Sequence, residues 1–93
     1  MIGLNDSAER INYPFQRIED DTIIVDPKDR LMHQLNDVGS RVWEHLARKQ
    51  TLSAIITAIA DEYEVDPSVA REDITQLLDK MLELKLIKVI HNE

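Results

Sequence analysis

The sequence predicts an α+β domain in which a three-stranded antiparallel sheet is followed by three helices. Between residues 13 and 35, short apolar and β-branched runs alternate with turn residues, which is the pattern of a small sheet. After residue 36, apolar residues recur at helical spacing in three segments, and each segment begins at a capping residue. At 93 residues the chain is long enough for one domain.

The predicted sheet has three short strands joined by two turns. Residues 13–18 read YPFQRI, and residues 22–25 read TIIV, a run with strong strand preference. Asp26 and Pro27 then suit the first two positions of a type I turn. The return strand is RLMHQL at residues 30–35. Alternation gives this strand one face with Leu31, His33 and Leu35 and another with Met32 and Gln34.

The three predicted helices follow the last strand directly. The first covers residues 37–48, and Asn36 caps it, so the preceding strand ends without a connecting loop. Thr51 is placed to cap the second helix. The third helix spans residues 67–84 with Asp66 as its N-cap. In the first helix Trp43 is expected in the core, and Gly39 is expected to allow a close approach between helix and sheet.

The two ends of the chain carry weaker signals. Residues 1–12 are polar and lack periodicity, so they are predicted to form a flexible N-terminal tail. The domain itself is predicted over residues 13–90. Its last segment, LIKVI at residues 86–90, has strand character and is expected to be a short strand or a packed tail. Its role is left open.

Composition and motifs argue against several functions. The chain has no cysteine and a net charge of −7. It has no signal peptide and no apolar run near the ~18 residues that cross a bilayer, so a cytoplasmic protein without membrane contact is expected. His33, His45 and His91 are far apart in sequence, and no nucleophile or phosphate-binding motif is present. We predict a non-enzyme with no catalytic residues, no cofactor and no metal.

Two binding functions remain as alternatives: contact with DNA and formation of a homodimer. Three short helices beside a small sheet is the layout of a winged helix-turn-helix, whose third helix would enter the major groove of DNA. Here that helix is net acidic, whereas base and phosphate contacts rely on basic and amide side chains. An acidic winged-helix module acting in transcription is therefore the weaker alternative, and no nucleic-acid partner is expected. The other alternative is a homodimer formed through sheet edges.

The strand at residues 30–35 and the third helix suggest a site for a peptide. The strand can have one unpaired edge, which is a template for an added strand. On the third helix, Leu77 and Leu84 lie about 80–100° away from the main apolar cluster, on the same strip as Asp73 and Lys80. They either line a groove beside the strand or belong to the core. A strand edge beside an apolar helix wall is an arrangement that captures peptides by strand addition.

Three stretches carry a resemblance to a known family: LNDVGSRVW at 35–43, TLSAIITAIADEYEVD at 51–66 and EDITQLLDKMLELKLI at 72–87. The chain resembles the PqqD-like family, the relatives of pyrroloquinoline quinone biosynthesis protein D that serve as precursor-peptide recognition elements. The resemblance extends from about residue 14 to residue 88. This chain has Lys85 where the family often has glycine, a departure that affects a helix end rather than the groove.

The resemblance implies a winged-helix-like fold and a non-catalytic function. It implies a protein that binds the leader segment of a ribosomally made precursor peptide and presents it to a maturation enzyme, such as a radical SAM enzyme or a lasso-peptide leader protease. The leader would lie as a strand between the third strand and the third helix. By position, the implied peptide-binding residues are Arg30, Leu31, Met32, His33, Gln34, Leu35, Asp73, Gln76, Leu77, Lys80, Met81 and Leu84. Which precursor and which pathway are left open.

Overall fold

The computed structural model describes residues 2–91, and these contain five strands and three helices. The predicted order of a sheet followed by three helices is confirmed, with one strand added at each end. Met1 of the predicted tail and residues 92–93 lie outside the described residues. The elements are β1 (Ser7–Arg10), β2 (Phe15–Ile18), β3 (Asp21–Asp26), β4 (Leu31–Leu35), α1 (Asp37–Leu46), α2 (Leu52–Glu62), α3 (Pro67–Glu83) and β5 (Ile87–Ile90).

The three predicted strands form an antiparallel sheet in the order β2-β3-β4. Thr22 of β3 is opposite Leu35 of β4, and Phe15 of β2 is opposite Ile24. The turn between β3 and β4 begins at Asp26, whose carboxylate accepts the N–H groups of the residues two and three positions later at 2.9 and 3.2 Å. One face of this sheet is covered by α1, and we call the opposite face the outer face.

The N-terminal segment differs from the predicted loose tail. Residues 7–10 form β1, which pairs antiparallel with β5, and Ile2 and Ala8 are buried in the core. The main-chain carbonyls of Leu4 and Asp6 accept the first two N–H groups of α2 at 3.0 and 2.9 Å. The first N–H groups of any helix have no partner within the helix. Here they donate to the N-terminal segment and hold it against α2. The predicted strand character of residues 86–90 is confirmed by β5.

Each helix begins at the residue that the sequence predicts. Asn36 accepts an N–H of α1 at 2.9 Å, Thr51 one of α2 at 3.2 Å, and Asp66 one of α3 at 2.8 Å. A single residue, Asn36, therefore separates the end of β4 from the start of α1. Gly39 makes this possible, since a Cβ at this position would lie only 3.2 Å from the Cβ of the last β4 residue. The expected close approach of helix and strand is confirmed.

The core lies between the β2-β3-β4 sheet and the helices and includes Trp43, which is 1% exposed as expected. A buried hydrogen-bond chain connects the layers: the Thr22 hydroxyl donates to the Ser40 hydroxyl at 2.8 Å, and the latter donates to the Leu35 carbonyl at 3.3 Å. This chain joins β3, α1 and β4 at their meeting point. No helix within residues 2–91 is long and apolar enough to cross a membrane.

A charged network joins α1 to α2 and to β2. Arg41 donates to both carboxylate oxygens of Glu62, at 3.0 and 2.8 Å, and also pairs with Glu44, which in turn pairs with Arg17. The hydrogen bond from Arg41 holds the pKa of Glu44 below its usual value. Burial raises the pKa of Glu62, but hydrogen bonds from Arg41 and His45 outweigh it, so that pKa is also lowered.

Several chain reversals use charged residues in the left-handed backbone region that glycine prefers. Lys85, between α3 and β5, has a φ of 61°, which fits the glycine that the family resemblance places there. A residue with a Cβ is strained in this region by about 1–2 kcal/mol. The others are Glu19, Arg30, Lys49 and Glu64.

Candidate functional site

Strand β4 is an edge strand. Within residues 2–91 it pairs with β3 alone, and its other side has no strand partner. The direction of its main-chain groups follows from the ladder on β3. The Val25 N–H donates to the Pro14 carbonyl at 2.8 Å, so Val25 points toward β2 and its neighbours Ile24 and Asp26 point toward β4.

The same alternation divides the main chain of β4 into paired and unpaired groups. Leu31, His33 and Leu35 are opposite the β3 residues that point toward β4, so their N–H and C=O groups complete the ladder. Met32 and Gln34 point away from β3. We call their N–H and C=O groups the free edge of β4. They are two donors and two acceptors at the spacing that an added strand requires.

The side chains of β4 point to the two faces of the sheet as predicted. Leu35 is buried in the core, and His33 is partly buried on the same face, whereas Leu31 is half-exposed at the open end of that face. Met32 is 71% exposed on the outer face. Gln34 lies on the outer face too, where its amide donates to the Asp21 carboxylate at 2.7 Å.

On α3 the predicted site residues separate into a buried, a half-buried and an exposed group. Met81 is 1% exposed and belongs to the core, so its side chain is not accessible on the surface. Its position agrees with the helical period, which puts residue 81 in one stripe with the buried residues 74 and 78. Leu77 and Leu84 are partly buried and pack against the core. The exposed group is Asp73, Gln76 and Lys80.

Strand β4 and helix α3 both contribute side chains to the single apolar core of the protein. Strand β4 contacts β3 and α1, whereas α3 packs mainly against α2 and β5. Leu35 at the end of β4 and Met81 on α3 belong to the same core cluster, and Leu77 and Leu84 pack against that cluster. The structure thus gives each partly buried leucine one side in the core, while the exposed Arg30 lies in the turn just before Leu31, the exposed first residue of β4.

The charged residues among the predicted site residues, Arg30, Asp73 and Lys80, are all exposed. Lys80 forms a 3.9 Å ion pair with Glu83 on the surface of α3. In the part of the chain that the structure describes, no three histidine or carboxylate side chains are grouped as metal ligands. The site offers main-chain hydrogen bonds, apolar surface and a charged rim, which are the means of binding a peptide.

The sequence predicts which side chains of residues 30–35 share a face, and the structure adds which of their main-chain groups are unpaired. The signal that separates them is the register of β3, in which Pro14 can only accept from Val25 because it has no N–H group. Register depends on pairing between strands, so the sequence of β4 alone does not show which of its main-chain groups are paired.

Comparison with known proteins places these features in a family. The family model described as coenzyme PQQ synthesis protein D (PqqD) matches residues 21–87, a span that includes β3, β4 and all three helices. The solved structure of TbiB1 in complex with the TbiA(beta) leader peptide has the same fold, with a TM-score of 0.80 and 22% identity over 91% of this chain and 99% of that chain. No curated protein matches the sequence. Because the family model covers more than half of its length, this chain belongs to the PqqD family.

Proposed function

We propose that this protein is a non-catalytic adaptor, which binds the leader segment of a ribosomally synthesised precursor peptide and presents it to a modifying enzyme. The observation that carries the proposal is the free edge of β4, at Met32 and Gln34, in a chain of the PqqD family. TbiB1, which shares the fold, has been solved with a leader peptide. The proposal extends that binding to this chain.

The leader would bind as a strand added to β4, on the side that faces α3. An added strand lies about 4.8 Å from its neighbour, and its successive side chains point to opposite faces. Main-chain hydrogen bonds from Met32 and Gln34 would supply affinity that does not depend on sequence. Every second leader side chain would point toward Leu77 and Leu84, whose exposed parts form the apolar wall.

The predicted site residues would contribute in different ways. Leu31 and His33 share the face of β4 that looks toward the helices, and they would contact leader side chains. The side chains of Leu35 and Met81 lie in the core and would support the site from beneath. Four exposed residues would form its rim: Arg30, Asp73, Gln76 and Lys80.

The adaptor would leave the chemistry to its partner. A radical SAM enzyme or a lasso-peptide leader protease is the kind of enzyme we propose, acting in the cytoplasm on the adaptor-bound precursor. We expect the gene for this chain to adjoin a short precursor reading frame and the gene of such an enzyme. Those two products are the natural probes for binding and modification.

The test is leader binding by a variant of the wall. A fluorescein-labelled leader peptide from the adjoining precursor is titrated with wild-type protein and with Leu77→Asp, while circular dichroism monitors the fold. We expect Leu77→Asp to weaken binding at least about tenfold, because a carboxylate would replace an apolar contact next to the leader. Val69→Asp is the control: it makes the same kind of change on α3 at a residue that is 50% exposed.

The proposal fails if wild-type protein does not bind the leader. The groove assignment fails if Leu77→Asp stays folded and binds as wild type does. Leu84→Asp provides the second variant if Leu77→Asp does not fold. Leu84 belongs to the same wall and is the C-cap residue of α3.

A further inference from the structure

The outer face of the β2-β3-β4 sheet carries an apolar depression that shares only Met32 with the proposed leader site. Its volume is about 390 Å³, and its apolar lining includes Ile18, Ile23, Val25 and Met32. We call it the outer-face depression. Ile18 is 51% and Met32 71% exposed, because the helices pack on the opposite face, where Thr22 bonds to α1. Nothing within residues 2–91 covers it.

The four apolar side chains form one surface rather than scattered contacts. Val25 and Met32 are directly opposite each other on β3 and β4, and Ile23 is two residues along β3 on the same face. Ile18 closes the depression from β2. A contiguous apolar surface that is rimmed by polar groups is a feature of interaction sites in soluble proteins.

The charges around the outer-face depression indicate the chemistry of its partner. One end is the β2–β3 turn, where Glu19, Asp20 and Asp21 follow one another. In the described part of the chain none of the three forms an ion pair, and Asp21 accepts a single amide hydrogen bond from Gln34. The partner that complements this end carries lysine or arginine beside an apolar side chain.

A second copy of this chain is a poor occupant. Each copy has a net charge of −7, so two copies repel each other. The strand dimensions give the face a footprint of roughly 250 Å², far below the ~800 Å² per partner of a stable interface. A contact of this size serves as part of a larger interface, in which a partner also touches a neighbouring surface.

That neighbouring surface is the leader site. Met32 contributes its side chain to the outer-face depression and its N–H and C=O groups to the free edge of β4. A protein that engages the leader-bound edge is therefore within reach of the depression. An enzyme that contacts the bound leader at β4 has the depression within the same interface.

We propose that the outer-face depression is the docking site for the modifying enzyme. A protruding apolar side chain of the enzyme enters the depression, and basic residues beside it face Glu19, Asp20 and Asp21. This inference rests on the proposed function, and it names the surface by which the adaptor recruits its partner.

The test separates docking from leader binding. Ile18→Asp changes the depression on β2, away from the free edge, and Val69→Asp is its control because Val69 is 50% exposed on α3. The purified enzyme encoded beside this gene is immobilised and titrated with each variant, with and without leader. We expect Ile18→Asp to bind leader within twofold of wild type, but to bind the enzyme at least about tenfold more weakly. Val69→Asp should match wild type in both measurements.

A charge reversal tests the acidic end. Asp20→Lys should weaken enzyme binding and reduce its dependence on salt, whereas Asp61→Lys, an equal change on α2, should alter neither. Enzyme binding by Ile18→Asp at the wild-type level would overturn the proposal. So would sedimentation showing a wild-type dimer that Ile18→Asp dissociates, since a second copy would then occupy the depression. If the wild-type protein did not bind leader at all, that result would instead refute the proposed function.

Discussion

Replacing Met32 with proline removes one N–H group from the free edge of β4 and changes little else in the protein. The Met32 N–H points away from β3, so the ladder between β3 and β4 keeps all its hydrogen bonds. The side chain is 71% exposed, so no core contact is lost. Proline is tolerated on an edge strand when its position faces outward, and it keeps the preceding residue extended.

The expected loss of affinity follows from the hydrogen bond that proline cannot make. In the proposed complex the Met32 N–H donates to a leader carbonyl. Without it, that leader carbonyl faces the proline ring between the two strands and has no donor, at a cost of about 1–3 kcal/mol. At 1.4 kcal/mol for each factor of ten, the dissociation constant should rise about 5- to 150-fold. The free energy of unfolding should change by less than about 1 kcal/mol.

The assay is anisotropy of labelled leader with wild type and Met32→Pro, together with thermal unfolding of both. His33→Pro is the matched control, since its N–H belongs to the ladder with β3 and its loss should lower the Tm of the free protein. The reasoning is refuted if Met32→Pro is folded and binds leader with wild-type affinity. It is also refuted if Met32→Pro lowers the Tm as much as His33→Pro, because the register on β4 would then be reversed.

Three further predictions concern stability. Ser40→Ala should lower the free energy of unfolding by about 1–3 kcal/mol in urea titrations, because a buried threonine hydroxyl loses its acceptor. Lys85→Gly should raise it by about 0.5–1 kcal/mol in the same titration, since glycine adopts a φ of 61° without strain. The folded state holds the pKa values of Glu44 and Glu62 below the 4.5 of an unperturbed glutamate, so their stabilisation is present above pH 4.5 and is lost as the pH falls through the lowered values. Arg41→Gln should therefore flatten the dependence of Tm on pH below about 4.5.

Much of the fold was predictable because its signals are local. The caps at Asn36, Thr51 and Asp66 depend on one side chain and a backbone N–H two or three residues later, and each was found as predicted. The three strands of the main sheet are separated by turns of a few residues, which the sequence marks with acidic residues and proline.

The N-terminal strand was not predictable, because the contacts that form it are not local. Residues 7–10 contain a single apolar residue, Ala8, so they lack the alternation of a strand. They become β1 by pairing with β5, about eighty residues later, and the residues just before them supply carbonyl groups to the start of α2. Contacts so distant in sequence leave no local pattern to read.

The placement of the candidate site residues was predictable in outline but not in detail. Helical spacing separates Leu77 and Leu84 from the buried stripe, and the structure finds both partly buried beside the core. The family resemblance added Leu35 and Met81, whose side chains are buried. Which groups of β4 are unpaired depends on the register with β3, which is a tertiary property.

Amide hydrogen exchange on β4, measured with and without leader, shows whether the leader binds by strand addition at this edge. In the free protein the amides of Met32 and Gln34 should exchange rapidly because they face away from β3, whereas those of His33 and Leu35 should already be protected by the ladder. Saturating leader should slow exchange at Met32 and Gln34 by at least about tenfold as the added strand accepts their hydrogen bonds. Leader binding that leaves both amides as exposed as before would contradict strand addition at β4.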